Sequence, residues 1–287
     1  MRASTPALAA GRRHSVGCRR DGTVVAVGSN AAGECRVGRW EDVIAVAAGN
    51  VHTASNTGKS HTVGLRSDGT VLATGWDGDG QCDVAAWRDV TAVAAGWRRT
   101  LGLLANGTVL AAGRGSEGQC GVQSWREMAV LSCGDWHSVG VRADGSALAA
   151  GNNRRGQCAV DDWRDLTAVA AGYLHTVALR RDGRVLAAGD RSTGACDLGG
   201  WEDVVALAAG SYHTVAVTAS GRVLAAGDNS HGQCDVGGWR DIAAVAAGST
   251  HTLGLRADGT VTSTGNNASC QSDVATWSGI HVPRARA

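Results

Sequence analysis

Seven tryptophans divide this chain of 287 residues into near-identical units, and the last five intervals between them are all 38 residues. They are Trp40, Trp87, Trp125, Trp163, Trp201, Trp239 and Trp277. A fixed repeat of this length predicts one array of equivalent structural units rather than a set of unrelated domains. The first interval is 47 residues, which we interpret as a unit of 38 with a nine-residue insertion from Val51 to Lys59. We therefore expect a single domain over residues 1–287.

The repeat assigns almost every residue to a unit. The units are 3–40, 41–87, 88–125, 126–163, 164–201, 202–239 and 240–277, and residues 278–287 follow as a closing tail. Each unit contains four short β-like runs, and in five units an Asp-Gly pair joins the second run to the third, which is a hairpin signal. No run has sustained helical periodicity with caps. The prediction is an all-β fold, a seven-bladed β-propeller of four-stranded antiparallel blades.

The closing tail has an expected place in this architecture. Pro6 is a weak strand residue at the start of the first unit. We expect Ile280 to Val282 to help complete the first blade, so that the two ends of the chain close the ring.

Composition excludes several classes of function. The 27 basic and 26 acidic side chains give a net charge of +1, so no overall field attracts nucleic acid or an anionic membrane. The first residues lack the apolar run of a signal peptide, and no apolar run approaches the length of about 20 residues that spans a membrane. We expect a cytoplasmic, monomeric protein with neither nucleic acid nor membrane as its partner.

Repeated cysteines and histidines are expected to be structural. Six of the nine cysteines lie five residues before a repeat tryptophan, which separates them too far for disulfides and leaves them as free thiols. Six histidines also recur at one position of the unit, and Arg99 replaces the histidine in the third unit. We expect these residues to pack between units, and we predict no metal and no cofactor.

Two motifs carry a resemblance to a known family. They are AAGxxHTVGLRxDGTVLAxG and GxNxxGQCxVxxW, which recur in the units from residue 47 onwards. The chain resembles the regulator-of-chromosome-condensation repeat family of seven-bladed propellers. The resemblance implies that fold but leaves function open, because members act as nucleotide-exchange factors, chromatin binders and a plant ultraviolet-B photoreceptor, and a related secreted propeller inhibits β-lactamases.

The units differ from one another mainly in the first and third connections between their strands, which in such a meander lie on one face. Of twelve aromatic residues, seven are the repeat tryptophans, and the other five all lie in these connections: Trp76, Trp97, Trp136, Tyr173 and Tyr212. They are flanked by Arg98, Asp135, Arg154 and Arg155. Rigid aromatic residues with arginines among polar neighbours are typical of interface hot spots.

We interpret this face as a partner-binding site with Trp97, Trp136, Tyr173 and Tyr212 as anchors. The related inhibitor uses aromatic residues in its corresponding loops, so the resemblance implies a similar mode of binding. The alternative is that these side chains fold back as lids on the propeller.

Other motifs point to no chemistry. Gly58-Lys59-Ser60 lacks the further glycine of a phosphate-binding loop, because position 53 is threonine. His231 beside Asp228, and His52 beside Lys59, are isolated loop residues, so we predict no catalytic residues. Residues 96–100 resemble the Gly-Trp-Arg-His-Thr motif of the photoreceptor once only, with arginine in place of histidine.

The sequence therefore favours a non-enzymatic adaptor, scaffold, regulator or inhibitor that binds a protein of unknown identity. The first alternative is a propeller that binds a small ligand, or acts as an enzyme, in its central funnel. Ultraviolet sensing and nucleotide exchange are further alternatives.

Overall fold

Seven three-stranded antiparallel sheets make up the computed structural model, which describes residues 6–53 and 59–282. The sheets contain strands β1 to β21 in chain order, each sheet being one blade. The first three blades are β1 (Leu8–Ala10), β2 (His14–Cys18), β3 (Val24–Gly28); β4 (Val43–Ala48), β5 (His61–Arg66), β6 (Val71–Gly75); β7 (Val90–Gly96), β8 (Arg99–Leu104), β9 (Val109–Gly113). The fourth and fifth are β10 (Met128–Cys133), β11 (His137–Arg142), β12 (Ala147–Gly151); β13 (Leu166–Ala171), β14 (His175–Arg180), β15 (Val185–Gly189). The sixth and seventh are β16 (Val204–Ala209), β17 (His213–Thr218), β18 (Val223–Gly227); β19 (Ile242–Ala247), β20 (His251–Arg256), β21 (Val261–Gly265).

The prediction of a fourth strand in each blade was wrong, because that part of the unit forms turns. In the sixth unit the backbone N–H of Cys234 donates to the side-chain oxygen of Asn229 at 2.8 Å. The N–H of Val236 donates to the carbonyl of Cys234 at 2.8 Å. These local bonds satisfy backbone groups that a β-ladder would need, so the segment forms turns and does not pair with the neighbouring strand.

The repeated cysteines support these turns. Each of the six thiols donates to a backbone carbonyl six residues earlier, as Cys120 does to Arg114 at 3.0 Å and Cys35 to Ser29 at 3.2 Å. All nine thiols are free. Burial is the largest cause that raises the pKa of Cys35 and Cys82 to about 12, which keeps both thiols protonated.

Blades pack against one another through their apolar faces. In one core cluster, Val63 and Leu65 of β5 contact Val90 and Val93 of β7, and all four are buried. The repeat tryptophans lie between blades as well, and the ring of Trp87 covers Gly102 of the next blade. A Cβ at Gly102 would lie 2.7 Å from that ring, so only glycine leaves enough space for the indole at this position.

A ring of hydrogen bonds joins each blade to the next around the axis. Nε2 of His213 bonds to the Thr252 hydroxyl at 2.9 Å, and that hydroxyl donates to the carbonyl of Gln233 at 2.7 Å. The same pattern closes the ring between the last blade and the first, where His251 bonds to Ser15 at 3.0 Å. Because the hydroxyl proton is directed to a carbonyl, each imidazole donates from Nε2. Burial lowers the pKa of all six imidazoles, which keeps them neutral at pH 7.

The chain ends meet in the first blade. Ile280 pairs with Arg19, in the place that the first residue of the inner strand takes in the other blades. The N–H of His281 donates to the carbonyl of Cys18 at 2.9 Å, and Ile280 is fully buried among residues of the first and last blades. Residues from the end of the chain thus extend the short strand β1.

The strand ends nearest the axis carry glycine because the blades approach closely there. A Cβ at Gly172 would lie 2.5 Å from the carbonyl oxygen of Gly210 in the next blade.

Among the described residues no helix is long and apolar enough to span a membrane.

Candidate functional site

Both variable connections of every blade lie on one face, which we call the variable-loop face. The first residue after the third strand of each blade donates its backbone N–H to the carbonyl of the residue just before the second strand. Arg114 bonds to Arg98 in this way at 2.8 Å, and Asn152 to Trp136 at 3.0 Å. This bond recurs in all seven blades, so the first loop and the third connection are side by side throughout. The face expected from the repeat is therefore present.

The start of the insertion, together with Asn50 before it, fills the mouth of the ring on this face. Asn50 follows Gly49 near the axis, and the described part of the insertion is residues 51–53 and Lys59. The side-chain oxygen of Asn50 accepts hydrogen bonds from Ser249 at 3.0 Å and from Ser211 at 3.4 Å, and the Ser249 hydroxyl also donates to the carbonyl of Val51. Asn50, Val51 and His52 are buried, so residues 50–52 close the mouth of the ring, and we call these three residues the plug.

His52 and Asp135 hold the plug to the fourth blade. One carboxylate oxygen of Asp135 accepts the backbone N–H of His52 at 2.6 Å and lies 2.8 Å from its Nδ1. Asp135 is fully buried, and burial raises the pKa of its carboxyl group while the bonds from His52 lower it. Among the described residues, the second carboxylate oxygen of Asp135 has no hydrogen-bond partner.

Four aromatic side chains surround the His52 ring or continue from it, and we call them the aromatic arc. His52 stacks on Tyr173 with centroids 4.5 Å apart, and its ring is 5.6 Å from Trp97 and 5.8 Å from Trp136. Trp97 and Trp136 make an edge contact at 4.4 Å, and Tyr212 contacts Tyr173 edge-on at 5.4 Å. The four come from consecutive blades, three to six, so the arc covers about half of the ring.

Two arginines lie over the tryptophan rings. The guanidinium of Arg98 is 4.5 Å from the Trp76 ring and 4.7 Å from the Trp97 ring. Arg114 is 5.0 Å from Trp97 and 5.9 Å from Trp136. Cation–π contacts of this kind hold planar groups in register and leave guanidinium N–H groups directed away from the ring.

The family-model comparison covers all seven blades. The model of the regulator of chromosome condensation (RCC1) repeat matches the following residues: 7–34, 56–81, 90–119, 130–157, 166–194, 204–233 and 242–271. The chain belongs to the RCC1 repeat family.

Solved structures of RCC1-type and other propellers share this architecture. Prp20p from Saccharomyces cerevisiae, described with its binding properties to Gsp1p and histones, is 18% identical with a TM-score of 0.69, covering 86% of this chain and 81% of that chain. Human WBSCR16 is 17% identical with a TM-score of 0.69, covering 88% and 86%. The CRINKLY WD40 ectodomain of the Arabidopsis thaliana receptor kinase ACR4 is 23% identical with a TM-score of 0.63, covering 78% and 85%. No curated protein gives a significant match. At these identities the structures establish the fold alone.

On this RCC1-repeat propeller the predicted site residues fall into two groups. Trp136, Tyr173, Tyr212, Trp76 and Arg98 are half-buried on the variable-loop face. Arg154 and Arg155 are exposed beside them, and Nε of Arg155 is 3.7 Å from a carboxylate oxygen of Asp190.

The second group is buried. Trp97 has 6% of its surface exposed and Asp135 has none, so their side chains contact the plug and the neighbouring blade instead of solvent. The expectation that Asp135 flanks the aromatic residues as an open polar contact does not fit this burial. Its carboxylate is directed at His52.

Sequence reasoning missed His52 and Arg114, which complete the site. Arg114 is a single arginine in a third connection and carries no motif. His52 had a usable signal, because the insertion begins two residues after Gly49, in the first loop of its unit, and an insertion there emerges at the mouth of the ring.

Proposed function

We propose that this RCC1-repeat propeller is a non-enzymatic binding protein that recognises a partner protein through the variable-loop face. The observation that carries the proposal is the aromatic arc with Arg98 and Arg114 over its tryptophans. Aromatic residues and arginines that are held rigid on a surface lose little conformational entropy on binding, which is why they dominate interface energetics.

Burial divides the anchors into two roles. Trp136, Tyr173 and Tyr212 are half-buried and offer ring surface to a partner, whereas Trp97 is buried and holds Trp136 and the two arginines in place. The exposed Arg154 and Arg155 belong to the same blade as Trp136 and supply polar contacts at the edge of the patch.

The partner should be apolar at its centre and acidic at its edge. Along the patch the cations are Arg98, Arg114, Arg154 and Arg155, and the acids beside them are Asp79 at 3.5 Å from Arg98, Asp190 beside Arg155, and Glu117 in the same cleft as Arg154 and Arg155. Four cations face these three acids, which favours carboxylate-bearing partners and faster association at low salt.

The plug argues against the central-funnel alternative on this face. Residues 50–52 are buried and hydrogen-bond to residues of the fourth, sixth and seventh blades, so a small ligand would have to displace them to enter the axis. The binding of Gsp1p and histones described for Prp20p supports protein recognition as a class of function for this fold.

Capture with a matched control tests the proposal. We would immobilise the wild type, Trp136→Ala/Tyr173→Ala and Val205→Ala, the last removing a valine that is 55% exposed on a strand away from the site. A partner bound by the wild type and Val205→Ala should be lost by the double variant. With the purified partner, the double variant should weaken Kd at least about a hundredfold. Equal capture by all three proteins, with equal melting temperatures, would refute the proposal.

Ultraviolet sensing is a second candidate, favoured by the 4.4 Å contact of Trp97 and Trp136 beneath two arginines. Irradiation with ultraviolet-B light should then change the oligomeric state or the tryptophan fluorescence reversibly. Phe substitution of Trp97 should abolish that change. An unchanged elution volume and spectrum after irradiation would exclude it.

A further inference from the structure

A cleft of about 320 Å³ opens on the variable-loop face where loops of the third, fourth and fifth blades meet. Its apolar lining is Trp136, Tyr173 and Leu174. Its polar lining consists of side chains with planar hydrogen-bonding groups, which are Glu117, Asn152, Arg154 and Arg155. Aromatic surface and polar groups are thus available to one small molecule at the same place.

The described ends of the insertion contact other blades. The carbonyl of Thr53 accepts a hydrogen bond from Arg12 of the first blade at 3.4 Å. Nζ of Lys59 lies 5.8 Å from the ring of Trp76 in the second blade. The residues named in the lining of the cleft belong to blades three to five.

The aromatic side of the cleft is held in place before any ligand binds. The Tyr173 ring stacks on His52 with centroids 4.5 Å apart, and Trp136 packs edge-on against the buried Trp97 at 4.4 Å. Trp136 and Tyr173 are themselves half-buried, and the rest of their surface faces the cleft or solvent. Rings fixed in this way lose little entropy when an apolar group packs on them.

The fold also orients the polar groups. Nδ2 of Asn152 donates to Oε2 of Glu117 at 3.1 Å, and Oδ1 of Asn152 accepts the backbone N–H of Arg154 at 2.9 Å. Nε of Arg155 lies 3.7 Å from a carboxylate oxygen of Asp190. Within the described part of the chain, Oε1 of Glu117 and the guanidinium of Arg154 make no hydrogen bond. One acceptor and one set of donors therefore remain for a ligand.

The charges at this cleft cancel. Arg154 and Arg155 are balanced by Glu117 in the lining and by Asp190 beside Arg155. An ion of either sign therefore gains little here, whereas a ligand that both donates and accepts hydrogen bonds can use every polar group. A hydroxyl group does both, because it can donate to a carboxylate while it accepts from a guanidinium.

The next junction around the ring does not repeat this arrangement. It also has an aromatic residue in its first loop, Tyr212, but Ser192 and Thr193 occupy the positions of Arg154 and Arg155. Side chains that change from unit to unit are not needed for the packing that every blade shares. The combination of two aromatic rings, two guanidinium groups, a carboxylate and an amide is thus a local property of the cleft.

We propose that this cleft binds one ring of an uncharged carbohydrate. The apolar C–H surface of the sugar packs on Trp136 and Tyr173, and its hydroxyl groups donate to Glu117 and accept from Arg154 and Asn152. The volume is at the lower end of the range for ligand sites, about 300 to 1,000 Å³, which fits a mono- or disaccharide. This activity goes beyond the proposed recognition of a protein, because the purified propeller binds the sugar without a partner.

Calorimetry and thermal melts with purified protein test the site. The neutral probes are glucose, galactose, mannose, fucose, N-acetylglucosamine, maltose and cellobiose, and the charged probes are glucuronate and glucosamine. At least one neutral probe should bind more tightly than about 10 mM. At about ten times Kd that sugar should raise the melting temperature by roughly 2 to 4 °C more for the wild type than for Arg154→Met at the same sugar concentration.

Two arginine variants separate the cleft from the rest of the face. Arg154→Met should weaken binding at least about tenfold, because it removes a charged donor. Arg154 is exposed, so the melting temperature of this variant without sugar should stay within about 2 °C of the wild type. Arg191→Met is the matched control, an exposed arginine in the third connection of the fifth blade, and should change Kd less than about twofold.

Three results would overturn the inference. They are the binding of no neutral probe more tightly than about 10 mM, the binding of glucuronate or glucosamine without any neutral sugar, and equal weakening by Arg154→Met and Arg191→Met. The titrations contain no protein partner. Their failure therefore leaves the capture experiment standing, and a failed capture leaves the sugar result standing.

Discussion

This propeller should unfold at an unusually high pH when it is titrated with acid, because the ring of hydrogen bonds between the blades contains six buried neutral imidazoles. Burial lowers the pKa to about 4 for His14 and His175 and to about 3 for the others, which are His61, His137, His213 and His251. Each ring uses Nε2 to donate to a hydroxyl, so a proton would have to enter at Nδ1. In the unfolded chain the same side chains titrate near 6.5.

The direction and size of the effect follow from linkage. Since the folded pKa values lie below the unfolded one, the unfolded chain binds more protons, and stability is complete above about pH 6.5 and is lost as pH falls. Each imidazole costs about 1.4 kcal/mol per pH unit in that window, so six cost roughly 8 kcal/mol per pH unit. Relative to pH 8 the loss is about 5 kcal/mol at pH 6 and about 8 kcal/mol at pH 5.5.

These losses compare with a total stability of about 5 to 15 kcal/mol for a domain. We therefore expect unfolding between about pH 6 and pH 5. The carboxylates of the Asp-Gly turns belong to a lower window, because hydrogen bonds from the threonine or serine two residues later lower the pKa of Asp21, Asp68, Asp144 and Asp258.

Urea titrations at pH 8, 7, 6 and 5.5, followed by tryptophan fluorescence and circular dichroism, measure this slope. Proton uptake on unfolding at pH 5 should be about five to six protons from the histidines. His213→Gln should reduce the slope by about 1.4 kcal/mol per pH unit, whatever it does to stability at pH 8. Val215→Ala, a buried neighbour on β17, should lower stability and leave the slope unchanged. Constant stability from pH 8 to pH 5.5, or uptake of fewer than about two protons, would refute the argument.

Three further predictions concern closure and the plug. Ile280→Ala should lower the free energy of unfolding by about 2 to 5 kcal/mol in urea titrations, because Ile280 is fully buried where the chain ends meet; a loss below about 1 kcal/mol would contradict that role. Gly172→Ala should lower the melting temperature by more than about 10 °C, since its Cβ would lie 2.5 Å from the carbonyl oxygen of Gly210 in the next blade. The control is Gly199→Ala, which has open space around it and should change the melting temperature by less than about 3 °C. His52→Ala should release the plug and raise acrylamide quenching of Trp97 and Trp136, and unchanged quenching would show that the plug does not depend on this ring.

The sequence predicted the parts of the fold that every unit repeats. A 38-residue interval with an Asp-Gly turn specifies a hairpin and a count of seven, and both are local properties of the chain. The prediction of a fourth strand was wrong for a local reason as well. Asparagine and cysteine side chains at that position bond to the backbone N–H and C=O groups that a strand would use for pairing. Only the bonding partners, not the apolar pattern, distinguish that turn from a short strand.

The candidate site was harder to predict because its contacts join distant parts of the chain. The five loop aromatics and their common face follow from comparing units. The bond of His52 to Asp135 spans 83 residues and that of Ser249 to Val51 spans 198, and no periodicity relates either pair. Pairs of this kind depend on where an insertion folds, which only the closed ring determines.

Two departures from the repeat, Arg99 and Asp135, meet at the junction of blades three and four, where the insertion of the second unit reaches them. Arg99 replaces a ring histidine and donates to the Ser138 hydroxyl at 3.0 Å and to the carbonyls of Gly134, Asp135 and His137. Burial raises the pKa of the Asp135 carboxyl group, and the donors of His52, followed by attraction to Arg99, oppose that rise. A neutral histidine at position 99 would remove the attraction of Arg99 from the buried Asp135 carboxyl group. Arginine in the ring, aspartate above it and the insertion that reaches it are therefore one electrostatic unit, and the aromatic arc is built around it.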